Sequence, residues 1–394
     1  MHNPSFLLLC CGLCCAVCNA EELPPSPAQL LSDGAYARIN VLGYAQRQQL
    51  GTTPLNPGNI AGIPRDQAAL EVRPDFNLKL QLFEFDLKPR FQYSASRIYH
   101  NEPQPVVLEE GSAFIHEGSV RARLGERLVL IYGRENLQWG PSALLSPSNP
   151  FNVNNGRNNP NLEMAAMDYA SAVMVASPAL TISLISNTDK GRLDPAARFR
   201  KTSAAKIDYT GDGHFLSVIA SRVPGEGRRI GGFAGWNVSD ALSVHAEGSA
   251  AQGGAAAATG RRDRKLLVGA AYTLAAGPTL TAEYFVNNDG CDTGSIQRCV
   301  QQRGAVVDPL RPLVRRRYAM LQYVDTKIGG NLNLSMRLIR NLDDRSGQLV
   351  VNLEYELGQH WQLYAIPTLY QGAQDSEFGS LLQKAVFVGA SYTF

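Results

Sequence analysis

The sequence predicts an all-β protein: a transmembrane antiparallel β-barrel of about eighteen strands, with short turns at one rim and long loops at the other. Three observations predict it: long segments of alternating polar and apolar residues, links that are short and long in turn, and few charged residues. Of the 394 residues only 18% are charged, below the ~25% of typical soluble domains. The net charge of +2 argues against a nucleic-acid partner, for which a strongly basic domain is expected.

The first twenty residues are interpreted as a signal peptide. An apolar run from Phe6 to Cys18 precedes small residues at both cleavage-site positions, Cys18 and Ala20. We expect cleavage after Ala20, which leaves a short periplasmic leader at 21–34 and the barrel at 35–394. A lipoprotein carrying its lipid on Cys18 is the alternative.

Two of the seven cysteines, Cys291 and Cys299, lie outside this N-terminal segment. An even pair of cysteines in an exported protein favours a disulfide, because export leads to an oxidising compartment. The sequence therefore predicts a small ring inside one of the later long loops.

The alternation is clearest between Glu71 and Tyr93. From Glu71 to Leu82 every second side chain is polar and the others are apolar, and the pattern returns from Phe85 to Tyr93. A period of two predicts strands with one polar and one apolar face. About ten residues of this kind suffice to cross a membrane at a tilt. We predict strands at 36–48, 67–82, 85–98, 109–124, 127–135, 167–176, 180–187, 203–210, 214–222, 229–237, 242–249, 265–273, 279–287, 316–325, 331–341, 348–357, 361–372 and 384–394.

Every second link between these segments is a tight turn, beginning with Phe83-Glu84 and ending with Gly358 to His360. An even number of strands places both termini at this rim. In outer-membrane barrels short turns are periplasmic and long loops are extracellular. The long links are 49–66, 99–108, 136–166, 188–202, 250–264, 288–315 and 373–383.

One segment tests the interpretation, because Tyr169 to Asn187 carries no charge and is long enough for a transmembrane helix. Its centre, Ser177-Pro178-Ala179, is a turn sequence. We therefore predict a β-hairpin here.

The chain ends in an amphipathic segment, Val386 to Phe394, with an aromatic residue at the carboxyl terminus. It resembles the terminal strand of Gram-negative outer-membrane proteins, in which the final Phe belongs to the signal read by the barrel-insertion machinery. The resemblance implies a location in the Gram-negative outer membrane and that machinery as a partner. Further aromatic residues on the outward parity predict an interfacial girdle near the short-turn rim: Tyr209, Trp236, Tyr355, Trp361 and Tyr392.

The third long loop, 136–166, holds the most distinctive residues: Trp139-Gly-Pro, then Leu144-Leu-Ser-Pro-Ser-Asn-Pro-Phe151. This segment is similar to one in capsule-assembly barrels of the Wzi type, which retain polysaccharide at the cell surface. In general porins, by resemblance, the third outer loop folds inward and narrows the lumen. We expect inward folding here, with Trp139 and Phe151 placed to stack on sugar faces and Arg134 placed to tether the loop to a carboxylate such as Glu117. The alternative is a surface loop held by its turns.

The inward parity predicts a polar lumen in which basic and acidic side chains balance. Most of these charges are expected to pair across strands, and a plugged barrel is the alternative to an open one. Inward-facing acids on later strands include Glu247, Glu283 and Glu354. The candidates for lining the pore or its constriction are Arg73, Asp75, Lys79, Lys88, Arg90, Glu117, Arg121, Arg123, Arg134, Trp139, Phe151 and Arg157.

The outer loops are basic, with clusters at Arg261 to Lys265, Arg315 to Arg317 and Lys190 to Lys201. Guanidinium and ammonium groups favour pairing with lipopolysaccharide phosphates. Attraction of anionic solutes to the mouth of the barrel is the alternative.

Nothing in the sequence predicts catalysis, a cofactor or a metal site. The histidines are scattered, and neither a nucleophile elbow nor a phosphate-binding loop occurs. The sequence favours a porin-like channel for passive diffusion of small hydrophilic solutes, with carbohydrates among the candidates. The alternative is a surface polysaccharide-binding or capsule-assembly barrel without an open pore.

Overall fold

One antiparallel sheet of eighteen strands closes on itself, because the last strand pairs with the first along most of their length. The computed structural model describes residues 34–100, 104–156, 158–193, 199–224, 227–252, 263–291, 294–303 and 313–394. The interpreted signal peptide, 1–20, and all but the last residue of the leader, 21–34, lie outside the described residues.

The strands follow one another around the barrel in chain order, so every neighbouring pair is consecutive in the chain except the closing pair of the first and last strands. Among the described residues, a 3-10 turn at Pro57–Asn59 and a helix, α1 (Ile296–Arg303), lie in long loops. The strands are β1 (Ala35–Leu50), β2 (Asp66–Lys79), β3 (Phe83–Ile98), β4 (Val106–Leu124), β5 (Leu128–Glu135), β6 (Met167–Ser177), β7 (Leu180–Asp189), β8 (Ser203–Gly211), β9 (His214–Val223), β10 (Gly227–Asn237), β11 (Leu242–Gln252), β12 (Arg264–Thr273), β13 (Thr279–Asn287), β14 (Arg317–Ile328), β15 (Leu332–Asn341), β16 (Gly347–Leu357), β17 (Trp361–Gln371) and β18 (Leu382–Thr393).

The predicted barrel is confirmed, and each predicted segment corresponds to one strand. The uncharged segment 169–187 forms the hairpin of β6 and β7, as predicted. The first turn was predicted two to three residues too late. Phe83 and Glu84 already belong to β3, and the backbone N–H of Leu80 donates to the carbonyl of Phe83 at 2.7 Å to close the turn.

A β-bulge interrupts the predicted alternation of β4. Between Lys88 and Pro89 on β3 the register shifts, so that His116 on β4 has no partner across the strands. Pro89 has no backbone N–H for the ladder, which explains why regular pairing breaks at this point. As a result His116 is buried, although strict alternation predicts that it faces outward.

The outer face of the barrel is apolar, and its aromatic girdle is present. Exposed rings include Tyr209, Trp236, Tyr355 and Phe394, near the short-turn rim. The ring of Tyr392 contacts Trp361 and Phe394 at centroid distances of 5.0 and 4.7 Å. In the part of the chain that the structure describes, no helix is long and apolar enough to cross a bilayer.

The inner face is not uniformly polar, contrary to the prediction. On β12 to β15 it carries buried apolar side chains that form a core inside the barrel. This core exists because a loop covers it. Its wall members are Leu267, Phe285, Tyr318, Met320 and Ile339.

The predicted disulfide joins Cys291 and Cys299 in the loop between β13 and β14. Around it Ile296 and Val300 of α1 form a small buried cluster against Leu55 from the loop between β1 and β2. Loops that are distant in sequence are therefore joined above the long-loop rim.

Candidate functional site

The loop between β5 and β6, residues 136–166, crosses the inside of the barrel, and we call it the lumenal loop. Its segment Ala143 to Leu145 is buried against the inward face of β12 to β15. In a ring of eighteen strands β14 stands nine places from β5 and is therefore opposite to it. The loop thus reaches the far wall of the barrel.

Two carboxylates on the far wall hold the tip of the lumenal loop. Glu283 of β13 accepts hydrogen bonds from the backbone N–H groups of Ala143 and Leu144, at 2.6 and 2.7 Å. On β11, Glu247 is 1% exposed and accepts hydrogen bonds from serine hydroxyls of the loop. These hydroxyls belong to Ser142 at 2.8 Å, Ser146 at 2.5 Å and Ser148 at 2.7 Å.

The Trp139-Gly140 pair has a steric explanation. Gly140 has φ +85°, a region that favours glycine, and a Cβ there would lie 2.2 Å from a carboxylate oxygen of Glu247. A side chain at position 140 would push the loop away from the carboxylate that holds it.

The aromatic residues of the lumenal loop form a cluster with the near wall. Phe151 contacts Trp139 and Tyr169 edge-to-face, at centroid distances of 5.6 and 5.2 Å. Phe151 is only 7% exposed, so the expectation that it stacks on a sugar is wrong. Trp139 is half-buried, and the ammonium group of Lys206 lies 5.4 Å from its ring centroid.

The returning end of the loop is held by arginines of β2 and β3. Arg90 binds both oxygens of Glu163, at 2.8 and 2.7 Å, and also Asp75 at 3.0 Å. Arg73, paired with Glu71, donates to the carbonyl of Asn161 at 2.9 Å. Burial raises the pKa of the Glu163 carboxyl, but the hydrogen bonds and charge of Arg90 outweigh it and hold the pKa below its ordinary value.

The remaining charged candidates form ion pairs that stay partly exposed inside the barrel. Lys88 binds Glu117 at 2.5 Å with 35% of its side chain exposed, and Arg121 binds Glu135 at 3.0 Å with 36% exposed. Arg123 and Lys79 approach Glu84 at 3.2 and 4.0 Å and are more exposed still. Inward-facing charges with this exposure border space that water can enter.

Arg134 binds a carboxylate, as expected, but its partner is not Glu117 and does not belong to the lumenal loop. It binds Asp168 of β6 at 2.6 and 3.2 Å, because the two residues are partners in the β5–β6 register. Arg157, the arginine of the lumenal loop that was predicted to line the pore, lies outside the described residues.

The sequence did not identify the residues that hold the loop. Glu247 and Glu283 were recognised as inward-facing, but no local pattern shows which loop reaches them. Glu163 carries no signal beyond its place at the end of a long link. His116, 3.7 Å from Glu163, was hidden by the bulge.

Most described members of the basic clusters predicted for lipid phosphates are used inside the protein. Arg315 is 1% exposed and lies 3.3 Å from Asp344, so it is wrongly placed as a phosphate ligand. Arg317 binds Asp343 at 2.8 Å, and buried Lys265 lies 3.4 Å from Asp263. Arg192 stands over the ring of Phe114 at 3.7 Å. Arg198, Arg261 and Arg262 lie outside the described residues.

A metal site is not apparent, since no three metal-binding side chains of the described ranges stand close enough together.

Comparisons with known proteins bear on the architecture. No protein-family model matches the sequence, and no curated protein resembles it significantly. Among solved structures the fold is similar to that of Pseudomonas aeruginosa OccK5 (OpdH), with 11% identity, a TM-score of 0.59 and coverage of 92% of this chain and 98% of that one. For P. aeruginosa OccK11 (OpdR) the values are 12%, 0.60, 91% and 96%. For Acinetobacter baumannii OccAB3 they are 11%, 0.57, 91% and 99%. At this identity the comparison establishes the fold alone.

Proposed function

We propose that the protein is an outer-membrane channel for passive diffusion of small hydrophilic solutes, with carbohydrates among the candidates. The observation that carries the proposal is the position of the lumenal loop, which is fixed to opposite walls of the barrel. Glu247 and Glu283 hold its tip, and Arg90 holds its returning end. A loop held in this way narrows the lumen without depending on a ligand for its position.

The exposed ion pairs support an aqueous passage beside the loop. Lys88 and Arg121 face inward and keep about a third of their surface accessible, which a dry, plugged interior would not allow. Paired charges of both signs form a polar wall that prefers neither cations nor anions strongly. The similarity of the fold to the Occ barrels is a second support for an outer-membrane channel.

The alternative is a polysaccharide-binding or capsule-assembly barrel without an open pore. It rests on the similarity of residues 139–151 to Wzi-type barrels. Phe151, one of the two aromatic residues offered for stacking on sugars, is buried. We therefore favour the channel.

The proposal includes the route of the chain to the membrane. Residues 1–20 direct export, and Phe394, which is 70% exposed at the end of β18, is available to the barrel-insertion machinery. The apolar outer face then lies in lipid, with the long loops toward the cell exterior, where lipopolysaccharide is the neighbouring lipid.

Planar-bilayer recording of the purified chain, with a panel of sugars and organic anions, tests this function. We expect stable single-channel currents and a higher conductance after deletion of residues 142–160. A heat-dependent shift in SDS gels, which closed barrels show, verifies that the deletion variant is folded. Unchanged conductance in a folded deletion variant would place the loop outside the passage. An intact chain that binds glycans but conducts no ions would support the alternative.

A further inference from the structure

The lipid-facing side of the barrel carries a shallow groove across β5 to β11, with a volume of ≈ 1030 Å³. Small side chains form its floor, and larger ones stand beside it. The floor includes Ala172, Ala205, Ala220 and Ala250, and the flanks include Leu184 and Ile230. These residues are successive partners across the strands, in the order Ala172, Leu184, Ala205, Ala220, Ile230 and Ala250. They form one apolar row, in which Leu184 and Ile230 border the low floor at Ala205 and Ala220.

Two arginines stand at the rim of this groove. Arg222 of β9 and Arg228 of β10 are direct partners in the register, and both are exposed on the outward parity. Like charges directly opposite each other destabilise a strand pair. In the described part of the structure neither arginine forms an ion pair, whereas the inward-facing Arg229 beside them binds Asp263 at 2.7 Å.

Hydroxyl groups lie beside the two arginines, at the same height on the barrel. Ser203 is the register partner of Arg222 on its other side, and its hydroxyl lies 3.0 Å from that of Ser186. β9 ends at Val223 and β10 begins at Gly227, so the arginines stand at the long-loop end of the strands. The apolar row lies one outward-facing position closer to the middle of the barrel. The groove is therefore amphipathic, with cationic and hydroxyl groups above an apolar floor.

We propose that this groove binds lipid A, the phosphorylated glycolipid anchor of lipopolysaccharide, with one phosphate between Arg222 and Arg228 and an acyl chain over the floor formed by Ala205 and Ala220. The inference rests on the proposed outer-membrane location, which places this rim in the outer leaflet. Each guanidinium group can donate two parallel hydrogen bonds to a phosphate, and a phosphate that bridges the two arginines removes the repulsion between them. A second copy of this chain is disfavoured as occupant, because a symmetric contact would bring the arginines of both copies together.

The chain offers a matched control for the two arginines. Arg47 of β1 is also exposed on the outward parity near the long-loop rim, but it lies 3.5 Å from Asp66 and is remote from the groove. An Arg47→Gln variant loses one outward charge without touching the site.

Native mass spectrometry of the detergent-purified full chain with lipid A measures the binding. We expect the Arg222→Gln/Arg228→Gln variant to bind lipid A at least about tenfold more weakly than the wild type, because charge-assisted bonds are lost. Arg47→Gln should bind as the wild type does. Ala205→Phe, which fills the apolar floor, should also weaken binding. Lipid A without its phosphates should bind the wild type as weakly as intact lipid A binds the double variant.

Three results would overturn the assignment. The first is equal binding of lipid A by the wild type and the double variant, and the second is equal binding of phosphatidylglycerol and lipid A by the wild type. The third is a dimer of the wild-type chain that changes when both arginines are replaced. Conductance of the same samples is a separate readout, since the arginines face away from the lumen. A wild type that conducts but does not bind lipid A contradicts this inference and leaves the channel function intact.

Discussion

Arg90 on β3 and Glu163 at the end of the lumenal loop form a two-point ion pair, with Nε–Oε2 at 2.8 Å and Nη2–Oε1 at 2.7 Å. Arg90 is 3% exposed and also binds Asp75, so the pair is built into the wall of the barrel. It holds the returning end of the loop three strands from β6, where the chain re-enters the sheet.

Glu163→Ala should loosen this end of the loop and leave the barrel folded. Loss of a charge-assisted, partly buried pair costs about 1–3 kcal/mol, and Asp75 remains as a partner for Arg90. Hydrogen exchange followed by mass spectrometry should show faster exchange in 158–166. Arg38→Gln is the control, because Arg38 binds the same Asp75 at 2.8 Å but is 52% exposed. Identical exchange in Glu163→Ala and wild type would contradict an anchoring role.

Glu247→Ala should release the tip of the lumenal loop, because the hydroxyls of Ser142, Ser146 and Ser148 lose their common acceptor. Single-channel conductance should rise toward that of the 142–160 deletion. Glu354→Ala is the matched control, since Glu354 faces inward on β16 and its hydrogen-bond partners among the described residues, Asn352 and Gln362, belong to its own wall. If both variants conduct like the wild type, the serine contacts do not position the loop.

Replacing Cys291 and Cys299 with serine should affect one loop only. The disulfide closes a ring with a sequence separation of 8 and stabilises that loop by roughly 2–3 kcal/mol in the chain-entropy model. Proteolysis between β13 and β14 should accelerate while the heat-dependent gel shift stays unchanged. Two free thiols in protein isolated from cell envelopes would contradict the disulfide itself.

Glu377, in the loop between β17 and β18, should make the long-loop rim sensitive to pH. Its carboxylate accepts hydrogen bonds from the backbone N–H of Val314 at 2.8 Å and from the hydroxyl of Tyr318 at 2.7 Å. Burial raises the pKa of Glu377 from 4.5 to about 7, helped by the negative charge of Asp344, which in turn faces Arg315.

Because the carboxyl pKa is raised, the folded loop binds more protons than the open loop between pH 4.5 and about pH 7. The closed arrangement is therefore most stable below about pH 4.5 and loses stability as the pH rises toward 7. Hydrogen exchange at Val314, corrected for the intrinsic rate, should show more opening at pH 8 than at pH 5. Glu377→Gln should remove this dependence, and a dependence that persists would assign it to another group.

The barrel itself could be predicted from the sequence because its determinants are local. Alternation with a period of two reports which face of each strand is apolar, and tight turns report where strands reverse. These signals lie within short continuous segments and need no knowledge of the partner strand. The hairpin at 169–187 and the cysteine pair followed from equally local patterns.

The site was decided by contacts between distant parts of the chain. Ser146 meets Glu247 across 101 positions, and Arg90 meets Glu163 across 73. The inward position of His116 depends on Pro89 of the neighbouring strand, and the burial of Phe151 depends on Tyr169 beside it. The sequence alone determined a closed barrel with a long third loop. Only the tertiary structure determined where that loop lies, because its position depends on side chains that face it from the opposite wall.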